Sequence, residues 1–113
     1  MKVKEILLIV VIVAVLCTTA YAYFAYEAIT VSSTAIGLTA TQYQYAHRAY
    51  MTLEGNNVRW TMDAVTTPTS AGVGHLWYVG QSLMLEHPDE LRNFRAIRSS
   101  ATDATIKVTY RSP

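Results

Sequence analysis

Three histidines, His47, His75 and His87, are the side chains best suited to proton transfer or metal ligation, and they stand 28 and 12 residues apart. A metal site calls for ligands at short helical or loop spacing, and neither interval supplies it. Asp89 and Glu90 are adjacent in the chain. On one helical turn neighbouring carboxylates point apart, so they do not form the facing acid and base of a hydrolase. Serines are frequent, but none lies in the G-x-S-x-G turn that presents a nucleophile. Gly72-Val73-Gly74 is too short to cradle a phosphate and has no following lysine or helix start. The single cysteine, Cys17, lies in an apolar run, which leaves the rest of the chain without a disulfide, a thiol nucleophile or a cysteine zinc site. The residues therefore specify no catalytic, cofactor or metal constellation, and the expectation is a protein that is not an enzyme.

Binding chemistry is better represented. Trp60, Trp77, Tyr43, Tyr45, Tyr50 and Tyr78 could stack on sugar rings if several shared an exposed face. Trp60 and Trp77 fall at inward or ambiguous positions, where core packing accounts for them. Tyr43, Tyr45 and Tyr78 are harder to place inside and fit a subunit interface or a glycan platform. Charge is distributed unevenly. Residues 27–90 hold six acids and two arginines, whereas 91–113 hold Arg92, Arg95, Arg98, Lys107 and Arg111 against Asp103 alone. Neighbouring strands can cancel such a split, or copies of the chain can dock acidic patches onto basic ones. Arg95 and Arg98 project to opposite faces of a strand, and one of them suits a carboxylate on a neighbouring loop or subunit, such as Glu86 or Asp89. The candidate interaction residues are thus Arg92, Arg95, Arg98, Arg111, Tyr43, Tyr45 and Tyr78.

The elements that must position these side chains are strands. Alternation places Ile29 and Val31 on one face of Glu27–Ser33, and Ala49, Met51 and Leu53 on one face of Ala46–Glu54. The next strand sets Val58, Trp60 and Met62 inward, and Glu54-Gly55-Asn56-Asn57 between them reads as a hairpin turn. Thr66–Gly72 is a loop by composition. Leu76–Val79 and Leu83–Leu85 read as strands about Gly80-Gln81-Ser82, and Phe94–Arg98 and Ile106–Tyr110 as a last pair. His87-Pro88-Asp89-Glu90 predicts one helical turn, with proline near N1, acids favouring the dipole, and Leu91 and Phe94 as anchors. Short strands at intervals of about ten residues predict an all-β fold, a sandwich or a small barrel, and the expected architecture is a small antiparallel β-sandwich of jelly-roll type.

Residues 27–113 are expected to form this one domain, and 1–26 a separate hydrophobic segment. Ile6–Tyr26 is 21 residues without a charge, preceded by Lys2 and Lys4. As a signal peptide it offers a basic start, an apolar core over Ile6–Leu16 and a small-x-small site at Ala20-Tyr21-Ala22. As a transmembrane anchor its 21 residues span a bilayer core, with Tyr21, Tyr23, Phe24 and Tyr26 at the far interface. Both readings stay open. From Tyr23 onward seven Lys or Arg balance seven Asp or Glu, so no basic excess points to nucleic acid. A small core without a disulfide favours support from partner subunits.

Gly74-His75-Leu76, Gly80-Gln81-Ser82-Leu83, Asn93-Phe94-Arg95-Ala96-Ile97-Arg98 and Ala104-Thr105-Ile106-Lys107-Val108-Thr109-Tyr110 together resemble small β-sandwich, head-decoration-like virion proteins of tailed bacteriophages. The likeness extends from about Ile29 to Tyr110 and lies in packing and turn residues. It implies a structural role, with the protein itself or capsid proteins as partners, and carries over no catalytic residue. The chain departs from that pattern at its start, since head proteins assembled in the cytoplasm need no export or anchor segment. The departure points to a membrane-containing virion, a tethered phage-encoded protein or a cellular protein with the same domain. The expected localisation is a virion or a membrane-associated or exported state, with membrane contact through Ile6–Tyr26 if that segment is retained. The competing expectation is a secreted or surface-anchored glycan-binding module.

Overall fold

The computed structural model describes residues 22–113. The helix expected over Ile6–Tyr26, including Cys17 and all but the last residue of the expected cleavage motif, falls up to residue 21 outside the described residues. Eight strands and two short helices follow: β1 (Phe24–Val31), β2 (Ile36–Gly37), α1 (Ala40–Tyr43), β3 (Arg48–Glu54), β4 (Val58–Thr61), β5 (His75–Trp77), β6 (Ser82–Leu85), α2 (Pro88–Asn93), β7 (Arg95–Arg98) and β8 (Ala104–Arg111). β1 starts at Phe24, earlier than the expected Glu27, so Phe24–Tyr26 pair with β8 as strand residues.

The strands form two antiparallel sheets, ordered β1-β8-β3-β6 and β2-β7-β4-β5. Alternation directs one side of each strand into a shared interior. Ile29 and Val31 of β1, Met51 and Leu53 of β3, and Ile106, Val108 and Tyr110 of β8 enter it from the first sheet. Val58, Trp77 and Ala96 enter it from the second. Complete burial of an aliphatic side chain contributes roughly 1.5–3 kcal/mol, so these positions dominate stability. Trp60 is half-buried, whereas Met62, expected inward beside it, is exposed because β4 ends at Thr61 and the chain turns away.

The turn expected to close a hairpin between β3 and β4 instead carries the chain from one sheet to the other, as do the connections β5 to β6 and β7 to β8. The reason lies in where the turn groups bond. The Asn56 amide donates to Ser100 Oγ (2.8 Å) and Thr102 O (2.6 Å) rather than across its own turn. Asn57 O accepts from Ser99 N–H and Asn57 Oδ1 from Val79 N–H. The turns at this end of the sandwich therefore tie to one another and hold the sheets together. The sequence pattern identified every strand except the two-residue β2 (Ile36–Gly37) but carried no information about partners. The one consecutive pair that does hydrogen-bond, β4 with β5, is joined by the long segment 62–74.

α2 forms as its sequence predicts. His87 caps it through Nδ1, which accepts the Asp89 N–H, Pro88 opens it, and Asp89 and Glu90 occupy the first turn. Leu91 and Phe94 are buried and pin it to the core.

Candidate functional site

The outer face of the β1-β8-β3-β6 sheet is open. Register aligns Tyr26, Thr109, Tyr50 and Met84 in one row across its full width. Tyr26 is 60%, Tyr50 47% and Met84 47% exposed, and Phe24, one step along β1, is 69% exposed. A row of large apolar groups on the solvent side of a sheet is what a binding surface presents. Beside it stand Phe24, Arg111 and Arg48, again directly opposite one another. Like charges facing across a strand pair repel, so a carboxylate or another anion between Arg48 and Arg111 would be favoured. Glu86 continues β6 on the far side of Arg48 without forming an ion pair with it. At the other end of the face Lys107 Nζ lies 3.0 Å from Glu54, and that carboxylate holds the Lys107 ammonium above its usual pKa.

The other sheet is roofed by its own chain. Segment 62–74 turns back over the outer side of β4 and β7. Thr61 donates its hydroxyl to Thr66 O (2.7 Å), Arg59 Nη1 donates to Gly74 O (3.2 Å) and Arg95 Nη1 to Thr67 Oγ1 (3.3 Å). Pro68 is buried within this roof, and Ile97 is buried on the same side of β7, apart from the central cluster. Gly74 has φ +105°, and a Cβ there would sit 3.0 Å from Trp60 O and 3.1 Å from Pro68 Cβ, so glycine permits the close approach. Asp63 organises the start of the roof: Oδ1 accepts the Val65 and Thr66 amides and Oδ2 accepts the Thr66 hydroxyl at 2.6 Å. These bonds, the Thr66 hydroxyl first, hold the Asp63 carboxyl below its usual pKa.

Where the roof meets β4 and β5 lies an open cleft of about 580 Å³, lined by Trp60, Thr61, Met62, Asp63, Thr66, Gly74 and His75. The Trp60 ring stacks on Phe94 (centroids 6.1 Å apart) and meets the tilted His75 ring at 4.9 Å. A smaller polar cleft of about 350 Å³ lies among Ser33, Ser70, Arg98, Ser99, Ser100 and Ala101. No cluster of three or more His, Cys, Asp or Glu residues able to hold a metal ion occurs among the described residues. No helix among them is long and apolar enough to cross a membrane.

The expected interaction residues are dispersed. Arg92 pairs with Asp89 on α2, Arg98 with Asp103, and Arg95 with the roof. Of the four arginines only Arg111 lies on the open face. Tyr43 is half-buried against the core, while Tyr45 is exposed and packs edge-on against Tyr23 at 5.9 Å. Tyr78 is exposed in the β5–β6 turn, beside Asn57 and the end of β3, so it is remote from the other two. In the sequence Tyr26 reads only as an interfacial aromatic at the end of the N-terminal segment, and Met84 and Arg48 are not singled out as interaction residues. For Met84 the signal was alternation itself, since it falls on the outward half of a strand where a polar residue is expected.

Among the described residues the fold is mostly β, two antiparallel four-stranded sheets of which one outer face is roofed and the other is left open. Comparison of the chain with known protein families, curated proteins and solved structures finds no match.

Proposed function

We propose that this chain is a non-enzymatic structural protein, a small jelly-roll sandwich that associates with copies of itself or with a capsid lattice and is exported or tethered by its N-terminal segment. The strand order supports the jelly-roll reading: two four-stranded sheets with almost every connection crossing between them form paired Greek keys, an architecture shared by viral capsid and lectin domains. The observation that carries the function is the contrast between the two outer faces. The chain covers one with its own segment 62–74 and leaves Tyr26, Tyr50, Met84 and Phe24 bare on the other. Sedimentation velocity of the full chain in detergent micelles tests it. An assembly larger than a monomer is expected, shifting to smaller species in the Tyr50→Lys, Met84→Lys double variant. A monomer at every concentration overturns the reading.

A second reading, a glycan-binding module, is favoured by one observation. The Trp60–His75 cleft combines aromatic rings with the Asp63 carboxylate, as sugar recognition requires, and its volume suits a small saccharide. It relies on different residues from the dispersed tyrosines.

A further inference from the structure

The bare face ends at β1, and the edge of that strand carries hydrogen-bonding groups with no partner among the described residues. Ser112 N–H donates to Tyr23 O at 3.0 Å, which fixes the parity of the β1–β8 ladder. Odd-numbered residues of β1 bond to β8, so the amide and carbonyl groups of Phe24, Tyr26, Ala28 and Thr30 point the other way. No backbone hydrogen bond among the described residues reaches those four from that side. β1 is eight residues long and contains no proline, lysine or arginine, the usual guards of an edge. Its single charge, Glu27, points inward and is already occupied by the hydroxyls of Tyr110 and Thr39, each at 2.6 Å. The other edges are short: β6 has four residues, β2 two and β5 three.

We propose that the β1 edge pairs antiparallel with β1 of a second copy, joining two β1-β8-β3-β6 sheets into one continuous sheet across a two-fold axis. This rests on the self-associating reading above and names its partner. Glu27 selects the register. Centring the pair on Glu27 would set two carboxylates directly opposite, whereas centring it on Ala28 places Tyr26 against Thr30 of the second copy and Ala28 against itself. That register closes about six interchain hydrogen bonds.

Residue-resolved amide exchange on the full chain in micelles, across a range of protein concentration, tests the proposal. At low concentration the amides of Tyr26, Ala28 and Thr30 exchange freely while those of Ala25, Glu27 and Ile29 are protected; at high concentration both sets are protected. Ala28→Pro removes one edge donor from each copy without touching the β8 ladder, and the loss of two hydrogen bonds weakens the assembly roughly thirtyfold. Ala28→Glu guards against a folding artefact. Its carboxylate lies beside Lys107 within one copy but meets its own image at the axis, so it too weakens assembly while the fold persists. Free exchange of the even amides where sedimentation shows an assembly overturns the edge contact and leaves the open face as the interface. Protection independent of concentration also overturns it, because the edge is then covered within one chain. A monomer throughout overturns this proposal and the reading beneath it.

Discussion

Removing one oxygen from the core gives the sharpest test of how the first sheet is held. Tyr110 is completely buried, and its hydroxyl donates to Glu27 Oε2 at 2.6 Å. The other carboxylate oxygen accepts the Thr39 hydroxyl, tying the segment before α1 to β1. Tyr110→Phe preserves the ring and leaves a half-buried carboxylate short of one donor. A hydrogen bond to a charged group is worth about 1.5–3 kcal/mol, and partial access of water to Glu27 favours the lower end, about 1.5 kcal/mol. For a domain of this size that lowers Tm by roughly 6–12 °C. The same residue adds an alkaline signature. Burial, then the Glu27 bond and charge, push the Tyr110 phenol far above its ordinary value. A phenol whose folded pKa is raised stabilises below the unfolded value near 10 and loses that contribution as pH climbs beyond it. At pH 11 the loss from this one group is on the order of 1 kcal/mol. Urea unfolding of wild type and Tyr110→Phe at pH 7 and pH 11, with Glu27→Gln completing a double-mutant cycle, measures both effects. The reasoning fails if Tyr110→Phe costs under about 0.3 kcal/mol at neutral pH, or if both proteins lose the same stability on going to pH 11.

Two further outcomes bear on the roof and the cleft. The lowered Asp63 pKa means that its turn is stabilised above the usual carboxylate value and loosens as pH falls through the lowered one. The Val65 and Thr66 amide resonances should therefore move together in acid, with a midpoint below 3.8, and the transition should vanish in Asp63→Asn. Resonances that stay still throughout would show that the carboxylate does not hold the turn. If the second functional reading is right, millimolar saccharide shifts the fluorescence of Trp60. The buried Trp77, whose Nε1 donates to Gln81 O, stays constant. His75→Ala should abolish the response, and no response to any saccharide removes that reading.

Local signals in the sequence reached most of the elements, β2 and α1 excepted, and stopped at their partners. Ile106, Val108 and Tyr110 announce the inward face of β8, and His87-Pro88-Asp89-Glu90 announces α2, because each depends only on neighbours in the chain. The hairpin expected at Gly55-Asn56-Asn57 failed because those asparagines bond to Ser100, Thr102 and Val79, residues far along the chain. The bare face was hidden for the same reason. Tyr50 is legible as an outward residue of β3, but its place beside Tyr26 and Met84 depends on three separate pairings. Pro68 read as an ordinary loop residue, and nothing local marks it as the buried plug of a roof over the second sheet.

The asymmetry between the sheets gives association a direction. Strand lengths of eight, eight, seven and four residues in the first sheet face two, four, four and three in the second. Short edges offer too few hydrogen bonds to recruit a partner, and Pro88 ends the path beyond β6. Among the described edge strands β1 alone is long enough, and a two-fold pairing consumes both β1 edges at once, so growth by this route stops at two copies rather than running on as a fibre. The joined sheet would then carry two Tyr26–Thr109–Tyr50–Met84 rows on one continuous surface, their tyrosines flanking the axis. A second layer would have to come through that surface, against another pair or a capsid neighbour. Edge and face are therefore separable steps: Tyr50→Lys with Met84→Lys should stop assembly at the dimer, whereas Ala28→Pro should weaken the dimer itself. Identical end states for the two variants would mean that a single contact does both.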